Sequence, residues 1–270
     1  QNWCLRMNRN KPLLRALHGE VVSPSPCWFM RQAGRYLPEY RNIRQKAENF
    51  LDFCFTPALA LEATQQPLRR YEFDAAILFS DILVIPHGLG QKVEFKEGIG
   101  PVLEPISSSD DIGNLDISLI QQRLAPVLET VTAISNSLNE KTALIGFAGA
   151  PFTVALYMVE GRGGTDGSKV RRMASEEQRN FTKLIDILCE ATTSYLIDQI
   201  NHGAEVLQLF DSWAGLLPES QFRKWIIEPN RRIVQAVNKV HPNVPIIGFP
   251  RNAGVLYRDF VKETGVQGVS

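Results

Sequence analysis

Arg31 and Arg35 lie four residues apart and bracket Gln32, Ala33 and Gly34. The planar guanidinium fork binds carboxylate or phosphate through paired hydrogen bonds. Gly34 lets the backbone turn sharply or approach a ligand closely. The segment is therefore a candidate clamp for a small polyanion. Asp81 follows an apolar run and sits among Phe79, Ile82 and Leu83. Such a carboxylate can accept N–H bonds or stabilise a developing positive charge, and it can equally cap the turn after it. Burial raises its pKa, while a neighbouring Arg31 or a bound cation opposes the rise. Tyr157 and Ser212 offer hydroxyls, although a core tyrosine and a turn serine would look the same. Ser212 lacks the G-x-S-x-G elbow of an activated nucleophile. Arg41 and Arg44 read as solvated or ion-paired residues on a following helix. His18, His87, His202 and His241 fall on helices or loops away from these positions, and no spacing of His, Cys and acids suggests a metal site.

These residues need elements to bring them together. Short apolar runs predict strands at Cys27–Met30, Asp74–Phe79, Ala143–Phe147, Glu205–Phe210 and Pro245–Phe249. Helical periodicity predicts helices at Pro38–Lys46, Pro57–Tyr71, Ser118–Leu138, Glu176–His202, Pro218–Val240 and Val255–Thr264. A hairpin-like excursion around Lys92–Phe95 interrupts the alternation. Strand–helix units in series imply parallel strands, in either an open doubly wound sheet or a (β/α)8 barrel. Neither Arg31–Arg35 nor Gly161–Gly167 carries the glycine spacing of a nucleotide fold. The barrel is favoured, as a single domain over residues 1–270. Its active site belongs at the C-terminal strand ends, where the Arg31–Arg35, Asp81, Gly149, Ser212 and Arg251 clusters all fall. Residues Gly265–Ser270 look like the middle of a sixth strand, so the last strand–helix units are expected to be missing from this chain. The absence of Met before Gln1 points to a trimmed N-terminus.

The chain has 270 residues with 29 Lys+Arg against 29 Asp+Glu. A balanced charge argues against nucleic acid as partner. The bases divide into 19 Arg and 10 Lys, and Arg31, Arg35, Arg41 and Arg44 share fourteen residues with a single acid, Glu39. The longest uncharged stretch, Thr142–Val159, is broken by Gly146, Gly149 and Pro151, which argues against a membrane span. Cys4, Cys27, Cys54 and Cys189 are scattered without C-x-x-C spacing and read as buried free thiols of a reducing compartment. A soluble cytoplasmic protein is expected.

The segment Trp28-Phe-Met-Arg-Gln-Ala-Gly-Arg-Tyr-Leu-Pro-Glu-Tyr40 closely resembles the N-terminal signature of the uroporphyrinogen decarboxylase family. Gly146–Thr153 with Tyr157–Gly161 resembles its second signature, and Phe79–Leu83, Phe210–Gly215 and Gly248–Arg251 are similar to further segments. The resemblance implies a (β/α)8 TIM barrel acting as a homodimer in haem and chlorophyll precursor synthesis. It implies removal of four acetate carboxyls from uroporphyrinogen, giving coproporphyrinogen without cofactor or metal. It carries substrate contacts onto Arg31, Gln32, Ala33, Gly34, Arg35, Asp81, Tyr157 and Ser212, with Asp81 and Arg31 catalytic. A family His on a late strand-end loop has no counterpart here. Asn252 stands where many relatives carry Gly. The competing expectations are a barrel methyltransferase serving a corrinoid protein with zinc, and a tetrapyrrole-binding protein without catalysis.

Overall fold

The computed structural model describes residues 10–96 and 98–270. Its strands are β1 (Ala75–Ile77), β2 (Val93–Lys96), β3 (Gly100–Leu103), β4 (Ala143–Gly149), β5 (Val206–Asp211), β6 (Ile246–Pro250) and β7 (Gly268–Val269). Five of them form one parallel sheet in the order β1-β4-β5-β6-β7, with Ala75 opposite Ala143, Ile145 opposite Val206, Leu207 opposite Ile246 and Ile247 opposite Gly268. Helices cross between successive strands, including Ile120–Ser137, Gln178–His202, Glu228–Val240 and Tyr257–Thr264. This is the α/β architecture of the (β/α)8 barrel.

Cys27–Met30 is not a strand. Pro24 and Pro26 remove two N–H donors just before it. The Cys27 N–H instead donates to the Asp74 carboxylate (2.6 Å), and the Asp74 N–H donates to the Cys27 carbonyl (2.9 Å). The Gln32 amide then donates to the Ala75 carbonyl (2.7 Å) and accepts from the Ile77 N–H (3.4 Å). A side chain thus does at the β1 edge what a neighbouring peptide would do. Cys27 is exposed here, against the expectation of a buried thiol, whereas Cys54 and Cys189 are buried. Cys4 lies outside the described residues.

The strands alternate between two faces. Gly146, Leu207, Leu209 and Asp211 face the helices. The Gln199 side chain from helix Gln178–His202 accepts from the Phe147 N–H (2.9 Å) and donates to its carbonyl (2.8 Å). A Cβ on Gly146 would stand 2.4 Å from that Gln199 oxygen, so any larger residue there would push the Gln199 amide off its two bonds to Phe147. The other face carries Ile145, Val206 and Ile247, which pack with Leu13 and Leu14 of helix Pro12–Leu17. That helix closes the N-terminal end of the sheet, and burying each leucine contributes about 1.5–3 kcal/mol. Just before it, the buried Lys11 ammonium donates to Glu205 (2.6 Å) and to the Thr142 carbonyl (2.9 Å). Glu205 also accepts from the Leu144 N–H (3.0 Å). Glu205→Ala strands a buried cation and is expected to cost about 3–5 kcal/mol. A fall in the urea unfolding midpoint checks this, and an unchanged midpoint would mean the pair contributes nothing.

Two further differences from the sequence expectation have local causes. Helix Pro151–Glu160 is buried on nearly every side, with Tyr157 its one less buried residue, so it shows no apolar stripe for periodicity to detect. The expected helix Pro218–Val240 is interrupted by a π segment at Arg223–Ile227. Pro229 cannot donate to Trp225 and its ring would crowd that carbonyl, a conflict that a wide turn relieves.

Candidate active site at the strand ends

Asp81 stands beyond β1, where its Oδ1 accepts from the Leu83 N–H (2.8 Å) and fixes the turn that precedes helix Val84–Gly88. Burial of the carboxyl raises its pKa to about 6, against the opposing pull of that N–H and of the Arg31 guanidinium. The cap and the charged-site readings therefore coexist: one oxygen holds a turn while the carboxylate faces Arg31.

Tyr157 comes from the next crossover. Its helix is fixed at the C-terminal end by the Ile106 N–H, which donates to the Met158 carbonyl (2.8 Å). The Leu103 N–H of β3 donates to the Gly161 carbonyl (2.8 Å), and Val102 bridges to Arg162. The β2–β3 ribbon thereby holds the Gly161–Gly167 loop against Tyr157. A Cβ on Gly163 would lie 2.6 Å from the tyrosine ring and 2.8 Å from its hydroxyl. Burial raises the Tyr157 pKa, the Trp213 indole opposes that rise, and the Asp81 and Arg31 charges both reach the hydroxyl. Arg31, Asp81, Tyr157 and Trp213 thus converge.

Ser212 and Trp213 sit on the turn after β5, and a buried chain of hydrogen bonds holds that turn. The Trp213 backbone N–H donates to Thr153 Oγ1 (3.1 Å), and Thr153 donates to Asp211 (2.7 Å). Asn230, just past the π segment, donates to the other Asp211 oxygen (2.9 Å). Burial raises the Asp211 pKa to about 6, with the Thr153 and Asn230 donors pulling it down. The next loop is stitched on: the Arg251 N–H donates to the Asp211 carbonyl (3.2 Å), and the Gly215 N–H to that of Arg251 (3.1 Å). Asn252 has φ +61°, a left-handed conformation that glycine and asparagine tolerate, which explains the exchange noted in the sequence. Phe147, Phe210 and Phe249 make a row of edge-on rings across β4, β5 and β6, with centroids 5.3 and 5.8 Å apart. Phe210 and Phe249 are only partly buried, so the row is an apolar wall beside the polar groups.

The Arg31–Arg35 segment divides in use. Arg31 is exposed, and its charge bears on Asp81 and Tyr157. Gln32 commits its amide to β1, Ala33 packs beside Leu37 and Phe53, and the Gly34 carbonyl accepts from the Leu37 N–H (3.0 Å). Arg35 is exposed and its charge bears on Tyr40. Ser212 is partly buried between Asp211 and Trp213. Sequence reasoning passed over Trp213, Thr153, Asn230 and Gly163. Asp211 did carry a signal, being a charge one step out of phase with Phe210 at a strand end.

Among the described residues, no group of three or more His, Cys, Asp and Glu side chains is placed to hold a metal ion, and no helix is long and apolar enough to cross a membrane. Grooves of about 580 and 850 Å³ lie between outer helices, both bordered by Gln121 and Asp198, far from the strand ends in the chain's architecture.

The fold and the sequence are similar to those of known proteins. The structure is similar to a methyltransferase from Methanosarcina mazei, with TM-score 0.79 and 18% identity, covering 96% of this chain and 74% of that one. At that identity the likeness shows the barrel fold alone. A uroporphyrinogen decarboxylase of Rhodospirillum rubrum is 55% identical over 96% of this chain and 74% of its own length. One from Chelativorans is 54% identical over 95% of this chain and 75% of its own. The family model described as Uroporphyrinogen decarboxylase (URO-D) matches residues 8–270. The chain belongs to the uroporphyrinogen decarboxylase family.

Proposed function

We propose that this chain decarboxylates the acetate arms of uroporphyrinogen to methyl groups, giving coproporphyrinogen, and that Arg31, Asp81, Tyr157 and Ser212 do the work. The observation that supports the reading best is the half-buried Asp81 carboxylate at a strand end, with one oxygen fixed by the Leu83 N–H and the Arg31 charge bearing on it.

An acetate arm cannot simply lose CO2, because the electron pair left behind needs an acceptor. A proton added to a pyrrole carbon turns the ring into that acceptor. The bond from methylene to carboxylate breaks, its electron pair enters the ring, and CO2 leaves. The methylene carbon then takes a proton and the ring carbon returns its own, so each CO2 consumes one proton. Asp81 accepts the pyrrole N–H groups and stabilises the cationic ring, preorganised by its fixed turn. Arg31 binds a carboxylate and orients the arm to be lost. Tyr157 and Ser212 hydrogen-bond other arms, and the Phe147–Phe210–Phe249 wall receives the macrocycle's apolar surface. A homodimer in the cytoplasm completes the reading.

Asp81 must be ionised to act, and its pKa is about 6. Below that value it is protonated, so kcat/KM is expected to fall about tenfold per pH unit below pH 6. A pH–rate profile checks this, and a flat profile from pH 7 to 5 would remove the ionised carboxylate from the mechanism.

A further inference from the structure

The Trp213 indole N–H is buried and meets no acceptor at hydrogen-bonding geometry, although it sits in the cluster formed by Tyr157, Asp81 and Arg31. An orphaned buried donor is uncommon and calls for a reason. The Trp213 backbone N–H is held by Thr153 (3.1 Å), the Trp213 carbonyl accepts from the Leu216 N–H (3.1 Å), and the indole packs against the main core. Tyr157 is confined from its other side by Gly163, where a Cβ would stand 2.8 Å from the hydroxyl. Thr153 and Tyr157 stand one turn apart on helix Pro151–Glu160, so the bond to Thr153 anchors Trp213 beside the helix face that carries Tyr157.

The chemistry of the pair is directional. An indole N–H only donates, whereas a phenol both donates and accepts. When Trp213 donates, the Tyr157 oxygen must accept, and the phenolic proton has to point elsewhere. Without that donor, Tyr157 can turn its proton toward Asp81 or take a bond from Arg31. Either choice would tie up a group that the proposed reaction needs. Hydrogen bonds in empty active sites are often long and tighten when the substrate is bound.

We propose that Trp213 is a positioning residue: it donates to the Tyr157 oxygen and so directs the Tyr157 O–H toward a carboxylate of the polycarboxylate substrate. This rests on the decarboxylase reading of the site.

A double-mutant cycle on the full-length protein, scored by CO2 release from uroporphyrinogen, tests it. Trp213→Phe is expected to lower kcat/KM about tenfold, the ordinary loss for a hydrogen bond that serves a charged group. In a Tyr157→Phe background the same substitution should change kcat/KM less than twofold, because no tyrosine oxygen remains to be directed. An equal loss in both backgrounds would assign Trp213 a packing role and overturn the proposal, as would no loss in either. Trp213→His keeps a ring N–H and is expected to stay within about threefold of the parent. If the Phe variant fails to fold, the His variant decides alone, and a tenfold loss with native circular dichroism counts against the inference. Wild-type protein runs in parallel: if it releases no CO2 the decarboxylase reading fails, whereas an active wild type with an equally active Trp213→Phe variant removes only Trp213.

Discussion

Asp81→Asn is expected to lower kcat by about 10²–10³-fold, the usual loss when a preorganised electrostatic group is removed, while the fold stays intact. The asparagine oxygen can still accept from the Leu83 N–H, so the turn before helix Val84–Gly88 survives. What disappears is the negative charge opposite a ring that becomes cationic. The stability consequence has the opposite sign. Asp81 has a folded pKa of about 6 against the ordinary 3.8 of a free aspartate, so the folded protein favours the protonated acid. Stability associated with that proton is complete below the unfolded pKa and declines as pH rises toward 6. At neutral pH the wild-type carboxylate therefore burdens the fold, and the uncharged amide should melt at the same or a higher temperature. Loss of activity with a retained or raised Tm would confirm both halves. Full activity in this variant would remove Asp81 from the mechanism.

The second large effect is expected for Arg31→Lys. Lysine keeps the positive charge but not the planar fork, so a carboxylate held through two bonds becomes held through one. A loss of about 10–100-fold in kcat/KM is expected, on the scale of truncating one partner of a charged pair. Because the charge remains near Asp81, the acid limb of the pH profile should stay close to pH 6. Steady-state kinetics across pH separates the two roles. An unchanged kcat/KM would refute the clamp, and a limb displaced upward by a whole unit would show that the charge had moved away from Asp81. Arg31 is exposed, so the substitution should leave Tm unaltered.

Much of this arrangement was legible in the residues because β4, β5 and β6 are largely buried on both faces and read as apolar runs, broken in β5 only by Gln208 before the closing Asp211. The stripe of helix Gln178–His202 from Phe181 through Leu196 is buried as its spacing requires. The strand-end rule then pointed to Asp81 and Ser212 before any fold was known. The misreadings came where a side chain replaced backbone. Cys-Trp-Phe-Met at 27–30 looks like a strand, yet Gln32 and Asp74 satisfy the β1 edge, which no local pattern announces. Helix Pro151–Glu160 was hidden by its own burial, and with it the platform that presents Tyr157. Trp213 was invisible for a different reason. Its interest lies in a missing partner, and only the placed neighbours reveal that an indole N–H has none. The Thr153–Asp211–Asn230 chain joins residues from three elements, so spacing along the sequence carries no trace of it.

The central claim is that these strand ends remove carboxyl groups from a tetrapyrrole and do not merely hold it. Its most direct test is to incubate the full-length protein with uroporphyrinogen labelled in its acetate carboxyls, following released CO2 and the porphyrinogen product together. The account predicts four CO2 per macrocycle and accumulation of coproporphyrinogen, with Asp81→Asn as the slow control. Tight binding of the tetrapyrrole with no CO2 released would contradict it.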